Sequence, residues 1–237
     1  MSGPEESRRD DRLVALGQAV AGLAHDLRNA LNVLGNSLHV VGRHIPQDDV
    51  VARKHLGILE YQVESTRCLA EDVLEFARGP VVRRRDCAAA PLVAAAARQA
   101  MPGDARAVLE FVLPPDDARV VVDPDAVHRV ILELVRNAVG VLDARGDRPG
   151  TVTVSALVVG EGLTITVHDD GPGFDAETAL RLFEPFFTTR TGGTGLGLAM
   201  VRAVAEAHGG GADAQGAPGN GATFTVRLPG PERSDEP

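Results

Sequence analysis

Residues 151–173 have the sequence TVTVSALVVGEGLTITVHDDGPG and decide the fold class of the second half of the chain. Apolar and polar side chains alternate along 151–159 and again along 163–169, which is typical of strands with one buried face. The turn Gly160-Glu161-Gly162 joins the two strands, and a glycine-rich run ends the second one. The stretch therefore predicts a pair of strands that leads directly into a glycine-rich loop.

Helices and strands surround this pair, so the domain is of mixed type. The predicted elements are a helix near 91–101, strands near 108–113 and 119–122, a helix over 123–144, a helix over 194–208 and a strand over 222–228. We expect a mixed α/β layer domain over 91–229, with mostly hairpin-connected strands and a polar tail over 230–237.

Two helical heptad series precede this domain. The first consists of Leu13, Leu16, Val20, Leu23, Leu27, Ala30 and Leu34. The second follows a break that contains Pro46, and it consists of Ala52, Leu56, Leu59, Val63, Thr66, Ala70, Val73 and Ala77. Two such helices joined by a short turn form a hairpin, here over 12–78, after a polar segment at 1–11 and before an arginine-rich linker at 79–90. Other apolar residues widen both stripes, so we expect a homodimer that forms a four-helix bundle.

The composition excludes several classes of protein. The 237 residues carry 24 lysines and arginines against 33 aspartates and glutamates, a net charge of -9. This acidic balance argues against non-specific binding to nucleic acid or to an anionic membrane. The longest uncharged apolar stretch, 87–97, is too short to cross a bilayer, and residues 1–12 do not resemble a signal peptide. The two cysteines lack metal-site spacing, and we expect a cytoplasmic protein.

Two groups of polar residues lie on predicted helices. His25 falls at an outer position of the first helix, with Asp26 beside it and Asn29 four residues on, on the same face. A lone exposed histidine is most often only a solvated side chain. Glu133 and Asn137 form another i,i+4 pair, on an otherwise apolar helix. A metal and a nucleotide would supply partners for this pair, but Asn137 as a satisfied helix-packing residue is equally compatible with the pattern.

Two glycine-rich runs complete the set of candidate sites. Residues 168–173 end a predicted strand, and 192–197 open a predicted helix. Glycines let the backbone approach a ligand closely, and the free amides of a helix N-terminus attract phosphate. Neither run matches the dinucleotide-binding or phosphate-loop signatures in context, so either one taken alone could be just a turn.

Taken together, these stretches resemble the two-component sensor histidine kinases, in the nitrogen-regulator-like branch. LGQAVAGLAHDLRN at 16–29 resembles the H-box, ELVRNA at 133–138 the N-box, and DDGPG at 169–173 the first glycine box. LFEPFFTTR at 182–190 resembles the F-box, and GTGLGL at 193–198 the second glycine box. The resemblance covers about residues 12–228. It implies an α+β protein, with a dimeric helical hairpin followed by an α/β sandwich of the Bergerat ATP-binding type.

The resemblance also implies roles for three residues of the H-box, namely His25, Asp26 and Asn29. His25 would accept a phosphoryl group from ATP, and Asp26 would take or orient its ring proton. The phosphoryl group would then pass to an aspartate in the receiver domain of a response regulator. Asn29 would position water or the aspartyl phosphate in a phosphatase reaction on that regulator. We expect the signal to come from a partner, such as a separate sensor protein, from the N-terminal segment, or from a region outside this chain.

The other motifs imply a site for ATP and Mg²⁺. Asn137 would ligate Mg²⁺, and Asp169 would accept a hydrogen bond from the adenine amino group. The remaining nucleotide-binding positions implied by the family are Gly171, Gly173, Thr189, Arg190, Gly193, Thr194, Gly195, Leu196 and Gly197. Phosphoryl transfer mainly requires positioning and charge neutralisation, which suits a site of this composition.

The chain departs from the family pattern at four places. Ala30 stands where proline is usual, so a helix kink is not expected there. Arg190 and Thr191 replace lysine and proline in the lid. Glu133 replaces an asparagine, and related ATPases use a glutamate there as a general base for ATP hydrolysis. Asp170 also replaces a common asparagine, and we expect a neutral effect.

Two other functions remain compatible with these motifs. One is a degenerate phosphotransferase or docking module without kinase activity. The other is a serine kinase or an ATPase of the same superfamily, although those lack a histidine-bearing hairpin ahead of the domain.

Overall fold

The computed structural model describes residues 27–103, 105–145, 149–190 and 193–231. The chain divides into two compact units, residues 1–79 and residues 80–237. Within the described ranges, no helix combines the length and apolar character that crossing a membrane requires. His25 and Asp26 lie outside the described residues.

The first unit contains a helical hairpin. Helix α1 occupies residues 27–44 of the described chain, and α2 spans Val50–Arg78. The carboxylate of Asp49 accepts a hydrogen bond from the Ala52 N–H at 2.9 Å and so caps the start of α2. The guanidinium of Arg53 donates to the Ile45 carbonyl at 2.6 Å, which ties the turn to α2. The predicted hairpin is therefore confirmed for the described residues.

The two helices contact each other along a face that the first heptad series does not predict. Leu31 is buried, and a Cβ at Gly42 would lie 2.7 Å from Leu56 Cδ2. Leu27 and Leu34 of the first heptad series are instead 41% and 52% exposed, so the stripe that they form does not pack on α2. Heptad spacing locates an apolar stripe but not the helix that covers it. On α2, Leu56 and Ala70 of the second series are buried but Leu59 is 51% exposed, so the predicted seam is confirmed only in part.

The second unit is a two-layer α/β fold. Its helices and strands are β1 (Arg85–Ala88), α3 (Ala89–Ala100), β2 (Val108–Val112), β3 (Arg119–Val122), α4 (Pro124–Arg145), β4 (Thr151–Val159), β5 (Gly162–Asp169), α5 (Ala176–Arg181), α6 (Gly197–Ala207), β6 (Gly211–Gly216) and β7 (Ala222–Leu228). The main sheet has the order β2-β4-β5-β7-β6, in which β2 and β4 are parallel and the other neighbours antiparallel. A separate antiparallel pair joins β1 and β3.

The core lies on one face of the main sheet. Residues paired across β4, β5 and β7 form buried rows, such as Val154, Val167 and Phe224. Helix α4 contacts α3, α6 and β5, and its apolar stripe includes Ile131 and Leu134, which are fully buried. This arrangement holds α4 against the central strand that ends at Asp169.

A buried polar cluster anchors the N-terminus of α4. Asp123 accepts hydrogen bonds from the backbone N–H groups of Arg83, Asp125 and Ala126, at 2.7, 3.0 and 3.1 Å. Its own N–H donates to His208 Nε2 at 3.2 Å, while His208 Nδ1 lies 2.8 Å from the Val204 carbonyl. His208 is therefore neutral, with the proton on Nδ1. The cluster joins the start of the second unit to α4 and to the end of α6.

Three elements were not predicted. Residues 85–88 of the predicted linker form β1, and α3 already begins at Ala89, so the linker cannot extend over 79–90. Strand β6 was missed because its sequence, GADAQG, lacks the β-branched and aromatic residues that favour strands. Its pairing with β7 offsets this low strand propensity. The six-residue helix α5, capped by Asp175, is too short to show a period. Helix α6 begins at Gly197 rather than at Thr194.

Candidate active site

A cleft in the second unit collects most of the predicted nucleotide-binding residues. It is bounded by α4, by the end of β5 and by the segments on both sides of α5. Its lining includes Glu133, Arg136, Asn137, Val141, Asp169, Pro172, Gly173, Phe174, Thr178, Leu182, Phe187, Thr188, Thr189, Arg190, Gly193, Thr194, Gly195, Gly197, Leu198, Ala222 and Phe224. Residues from four separate stretches therefore share one concave surface.

The carboxyl group of Asp169 lies at the base of this cleft. Asp169 is the last residue of the central strand β5 and is only 1% exposed. Its Oδ1 accepts a hydrogen bond from the Gly171 N–H at 3.0 Å. Burial raises the pKa of Asp169, and this effect outweighs the hydrogen bond from Gly171. An ionised carboxylate has acceptor positions beyond the one that Gly171 uses, so Asp169 can accept a further hydrogen bond from a ligand.

Two polar side chains of α4 face the same cleft. Glu133 and Asn137 are one helical turn apart and both line it. The carboxylate of Glu133 reaches the start of α6, where a Cβ at Gly197 would lie only 2.3 Å from its Oε2. The Glu133 carboxylate therefore packs against the first residue of α6, where a side chain larger than hydrogen would displace it.

The glycines of the cleft are required by local geometry at two positions. Gly173 has a φ of +66° and Gly195 a φ of +69°, in the left-handed region that disfavours other residues. A Cβ at Gly195 would lie 2.5 Å from the carbonyl carbon of Phe186. The N–H of Phe186 in turn donates to the Gly195 carbonyl at 2.9 Å. The two ends of the segment 186–195 are thereby held together beside the cleft.

Arg190 lies within this segment, at the rim of the cleft. Its N–H donates to Thr188 Oγ1 at 3.1 Å, and its carbonyl accepts from the Gly193 N–H at 3.3 Å. Its guanidinium lies against α4 at Gly140. The backbone of Arg190 is thereby tied to Thr188 and to Gly193, and its guanidinium is placed against α4.

The predicted site residues are distributed as follows. Residues that line the cleft are Glu133, Asn137, Asp169, Gly173, Thr189, Arg190, Gly193, Thr194, Gly195 and Gly197. Gly171 supports Asp169 from the side, and its own carbonyl accepts from the Gly221 N–H at 3.1 Å. The side chain of Leu196 is instead 1% exposed and does not line the cleft. Asn29 is exposed on α1 in the first unit.

Sequence reasoning missed the aromatic wall of the cleft. Phe174 and Phe224 line it together, with ring centroids 6.2 Å apart and an angle of 53° between the rings. Phe174 directly follows the first glycine run, and Phe224 occupies a buried position in the alternation of β7. Both signals were present in the sequence, but only the pairing of β5 with β7 brings the rings together. Such a wall suits the flat face of a nucleobase.

The donor set of the cleft fits a Mg²⁺ ion that is bound together with phosphates. Over the described ranges, no three His, Cys, Asp or Glu side chains form a cluster able to hold a metal by themselves. Glu133 and Asn137 supply one carboxylate and one amide oxygen on one face of α4. Mg²⁺ is commonly held by one or two protein oxygens, substrate phosphates and water, so these residues match that chemistry.

Comparison with known proteins agrees with the fold. Residues 122–232 match the family model described as histidine kinase-, DNA gyrase B-, and HSP90-like ATPase. Sensor histidine kinase ZraS of Klebsiella oxytoca is 34% identical over 229 residues, which are 95% of this chain and 48% of ZraS. Nitrogen regulation protein NtrY of Azorhizobium caulinodans is 32% identical over 236 residues, covering 93% of this chain and 30% of NtrY. The chain thus spans about half of ZraS and less of NtrY.

Solved structures share the same fold. Full-length ShkA, crystallised with AMPPNP, matches 90% of this chain and 46% of its own, with a TM-score of 0.75 and 24% identity. Histidine kinase ThkA, crystallised with response regulator protein TrrA, matches 97% of this chain and 66% of its own, with a TM-score of 0.64 and 23% identity. Residues 122–232 therefore belong with the histidine kinase-, DNA gyrase B-, and HSP90-like ATPases, and over 95% of its length the chain is similar to a sensor histidine kinase.

Proposed function

We propose that this chain is an ATP-dependent histidine autokinase that phosphorylates His25 and passes the phosphoryl group to an aspartate of a response regulator. The observation that carries the proposal is the cleft itself. It combines a buried carboxyl, Asp169, with the polar pair Glu133 and Asn137 on α4 and the guanidinium of Arg190 at the rim. This is the set of groups that a nucleoside triphosphate with Mg²⁺ requires.

Each end of the nucleotide has a matching group. The adenine amino group donates to Asp169, whose acceptor role distinguishes adenine from guanine because guanine presents a carbonyl there. Phe174 and Phe224 flank this end of the cleft. The phosphates would lie between Asn137 and Arg190, and Asn137 would hold a Mg²⁺ ion, which would supply positive charge to the phosphates.

The chemical step needs little from the protein beyond positioning. A ring nitrogen of His25 attacks the γ-phosphorus, the bond between this phosphorus and the β–γ bridging oxygen breaks, and ADP leaves. Asp26 takes or orients the proton on the other ring nitrogen, which keeps the attacking nitrogen free. Glu133, which stands where related ATPases use a general base, adds slow hydrolysis of ATP to the proposed activity.

The proposed partner is the receiver domain of a response regulator. ThkA, which shares the fold, was crystallised with response regulator protein TrrA. Asn29 is exposed on α1, in line with a role in dephosphorylating the regulator. The proposed active form is a homodimer, because α1 keeps an exposed apolar stripe after it packs on α2. A separate sensor protein remains a proposed source of the signal.

The test is incubation of the chain with ATP that carries a radiolabelled γ-phosphate. We expect label that is labile to acid and stable to base, as phosphohistidine is. His25→Gln should abolish the label while ATP still binds, and Asn137→Asp should abolish nucleotide binding or its Mg²⁺ dependence.

His39→Gln is the matched control, because His39 is another histidine of the first unit and is exposed on α1. It should label like the wild type. Stable label in His25→Gln would show that another residue is the acceptor. ATP binding without any label would favour the degenerate phosphotransferase, and acid-stable label would favour a serine kinase.

A further inference from the structure

Gly140 is an anomaly in helix α4. It lies well inside the helix, which spans Pro124–Arg145, at a position where glycine is less favourable than alanine. A Cβ at this residue would lie 2.0 Å from Nη2, 2.4 Å from Cζ and 2.7 Å from Nη1 of Arg190. These three nearest atoms all belong to one guanidinium group. The absence of a side chain at 140 therefore makes room for Arg190, and not for close packing of another helix.

This contact lies on the ligand-facing side of α4. Residues 133, 137 and 140 follow the i, i+4, i+7 spacing, so they share one helical face. Glu133 and Asn137 line the cleft, and Arg190 lines it from the opposite segment. The guanidinium thus stands about one turn beyond Asn137, where the phosphates of a bound nucleotide are proposed to lie.

The backbone around Arg190 favours this placement. Arg190 donates its N–H to Thr188 Oγ1 and accepts from the Gly193 N–H, so its Cα is held in a short folded segment. A Cβ at Gly193 would lie 2.7 Å from Thr188 Oγ1, so a larger residue there would disturb the fold of the segment. With the backbone held at both sides, the space at Gly140 decides where the guanidinium rests.

We propose that Gly140 is a positioning residue. Because it has no side chain, the Arg190 guanidinium can pack against α4 there, in an orientation that directs it toward the di- or triphosphate of the nucleotide. The proposal rests on the ATP site described under Proposed function. A planar guanidinium binds phosphate oxygens through two parallel N–H donors, and this geometry depends on its orientation. Position 140 thereby selects nucleotides that carry a polyphosphate over those that carry one phosphate.

The experiment is calorimetric titration of the full chain with MgATP and, separately, with AMP. Gly140→Ala should weaken MgATP binding about tenfold, as expected for losing a charged hydrogen bond, and leave AMP affinity within about twofold. Its Tm should equal or exceed that of the wild type, because alanine favours the helix. A weaker ligand affinity with an undiminished Tm would not arise from a merely structural role.

Two further variants make the test specific. Gly57→Ala is the matched control, since Gly57 is also a helical glycine but has nothing within 4 Å of its Cβ position. It should bind MgATP as the wild type does. In an Arg190→Lys background, which lacks the guanidinium fork, Gly140→Ala should add less than about a twofold loss.

Three results would overturn the inference while leaving the ATP site intact. They are unchanged MgATP affinity in Gly140→Ala, equal losses for MgATP and AMP, or a full additional loss in the Arg190→Lys background. Wild-type protein that fails to bind MgATP would overturn the proposed function, and this inference with it.

Discussion

The carboxylate of Glu133 on α4 lies directly against Gly197, the first residue of α6, where a Cβ would be 2.3 Å from its Oε2. The second glycine run, residues 192–197, therefore does more than let the backbone come close to a ligand. Its last glycine also leaves space for the side chain of Glu133. It admits an acidic side chain to the N-terminus of α6, where the free N–H groups favour negative charge. Glu133 thus joins α4 and α6 at the floor of the cleft.

Replacing Gly197 should disturb this contact. Gly197→Ala forces Glu133 away from α6, and we expect a loss of about 1 kcal/mol in the free energy of unfolding, measured with urea. In a Glu133→Ala background the same change should leave the free energy of unfolding unaltered, because the carboxylate that the new methyl group would displace is absent. Gly211→Ala, at a glycine with nothing within 4 Å of its Cβ position, is the control. An equal cost in both backgrounds would contradict the steric explanation.

Asp169 should decide which base the cleft accepts. In Asp169→Asn the amide oxygen can still accept from the Gly171 N–H, so the fold should survive. The amide nitrogen is a donor and cannot accept from the adenine amino group. We expect ATP affinity to fall at least about tenfold and discrimination against GTP to shrink, measured by competition binding. Asp213→Asn, at an exposed residue of β6, should leave both unchanged.

His208 should make stability depend on pH. Burial lowers its pKa below the ordinary value of 6.5, so the unfolded chain binds the proton more readily than the folded one. Stability is therefore complete above this value and falls as the pH drops through about 6.5, with a slope of up to about 1.4 kcal/mol per pH unit. Urea unfolding between pH 8 and 5 measures the slope.

His208→Gln should remove most of this slope, whereas His168→Gln, at an exposed histidine of β5, should not. A second loss of stability, caused by protonation of Asp123, is expected at lower pH. Burial alone would raise the pKa of Asp123, but the backbone donors of Arg83, Ala126 and Asp125 outweigh it and lower the pKa below 3.8. Its contribution is therefore lost only as the pH falls below that value. An unchanged slope in His208→Gln would exclude this histidine as the acid-sensitive group.

The exposed apolar residues along one face of α1 should form the dimer interface. Leu27, Leu34 and Val41 are 41%, 52% and 52% exposed and lie seven residues apart, on one face of the helix. We expect light scattering to give twice the chain mass of 24.9 kDa at micromolar concentration. Leu34→Glu should give a monomer, because it buries a charge in the proposed bundle. Asn36→Glu, on the opposite side of α1, should stay dimeric, and a monomeric wild type would refute the bundle.

Asn29 and Asp26 should serve different reactions. A carboxylate can take a proton, whereas a neutral amide can only orient water or phosphate. Asn29→Ala should therefore largely spare autophosphorylation and slow dephosphorylation of the regulator, and Asp26→Asn should do the reverse. Radiolabel assays of both half-reactions measure this. Equal loss of the two activities in Asn29→Ala would point instead to damage of α1.

Several elements could be predicted from local sequence alone. Strand β4 has the bounds expected from its alternation, and β5 differs by one residue, because the period of two and the glycine turn are local signals. Helix α4 begins at Pro124, after Asp123, whose carboxylate caps it. The glycine runs and the pair Glu133 and Asn137 were also found from local patterns, whereas Thr189 and Arg190 were named because of the family resemblance.

Other features were decided only by the tertiary structure. Strand β6 exists because β7 pairs with it, and the exposed position of Leu34 depends on which face of α1 meets α2. The contacts of Glu133 with Gly197, and of Arg190 with Gly140, join residues about 50 or more positions apart. Local patterns record a residue's own conformational preference and the period of its burial. Which distant side chain fills the space beside a glycine depends on the packing of whole elements, and no local pattern contains that information.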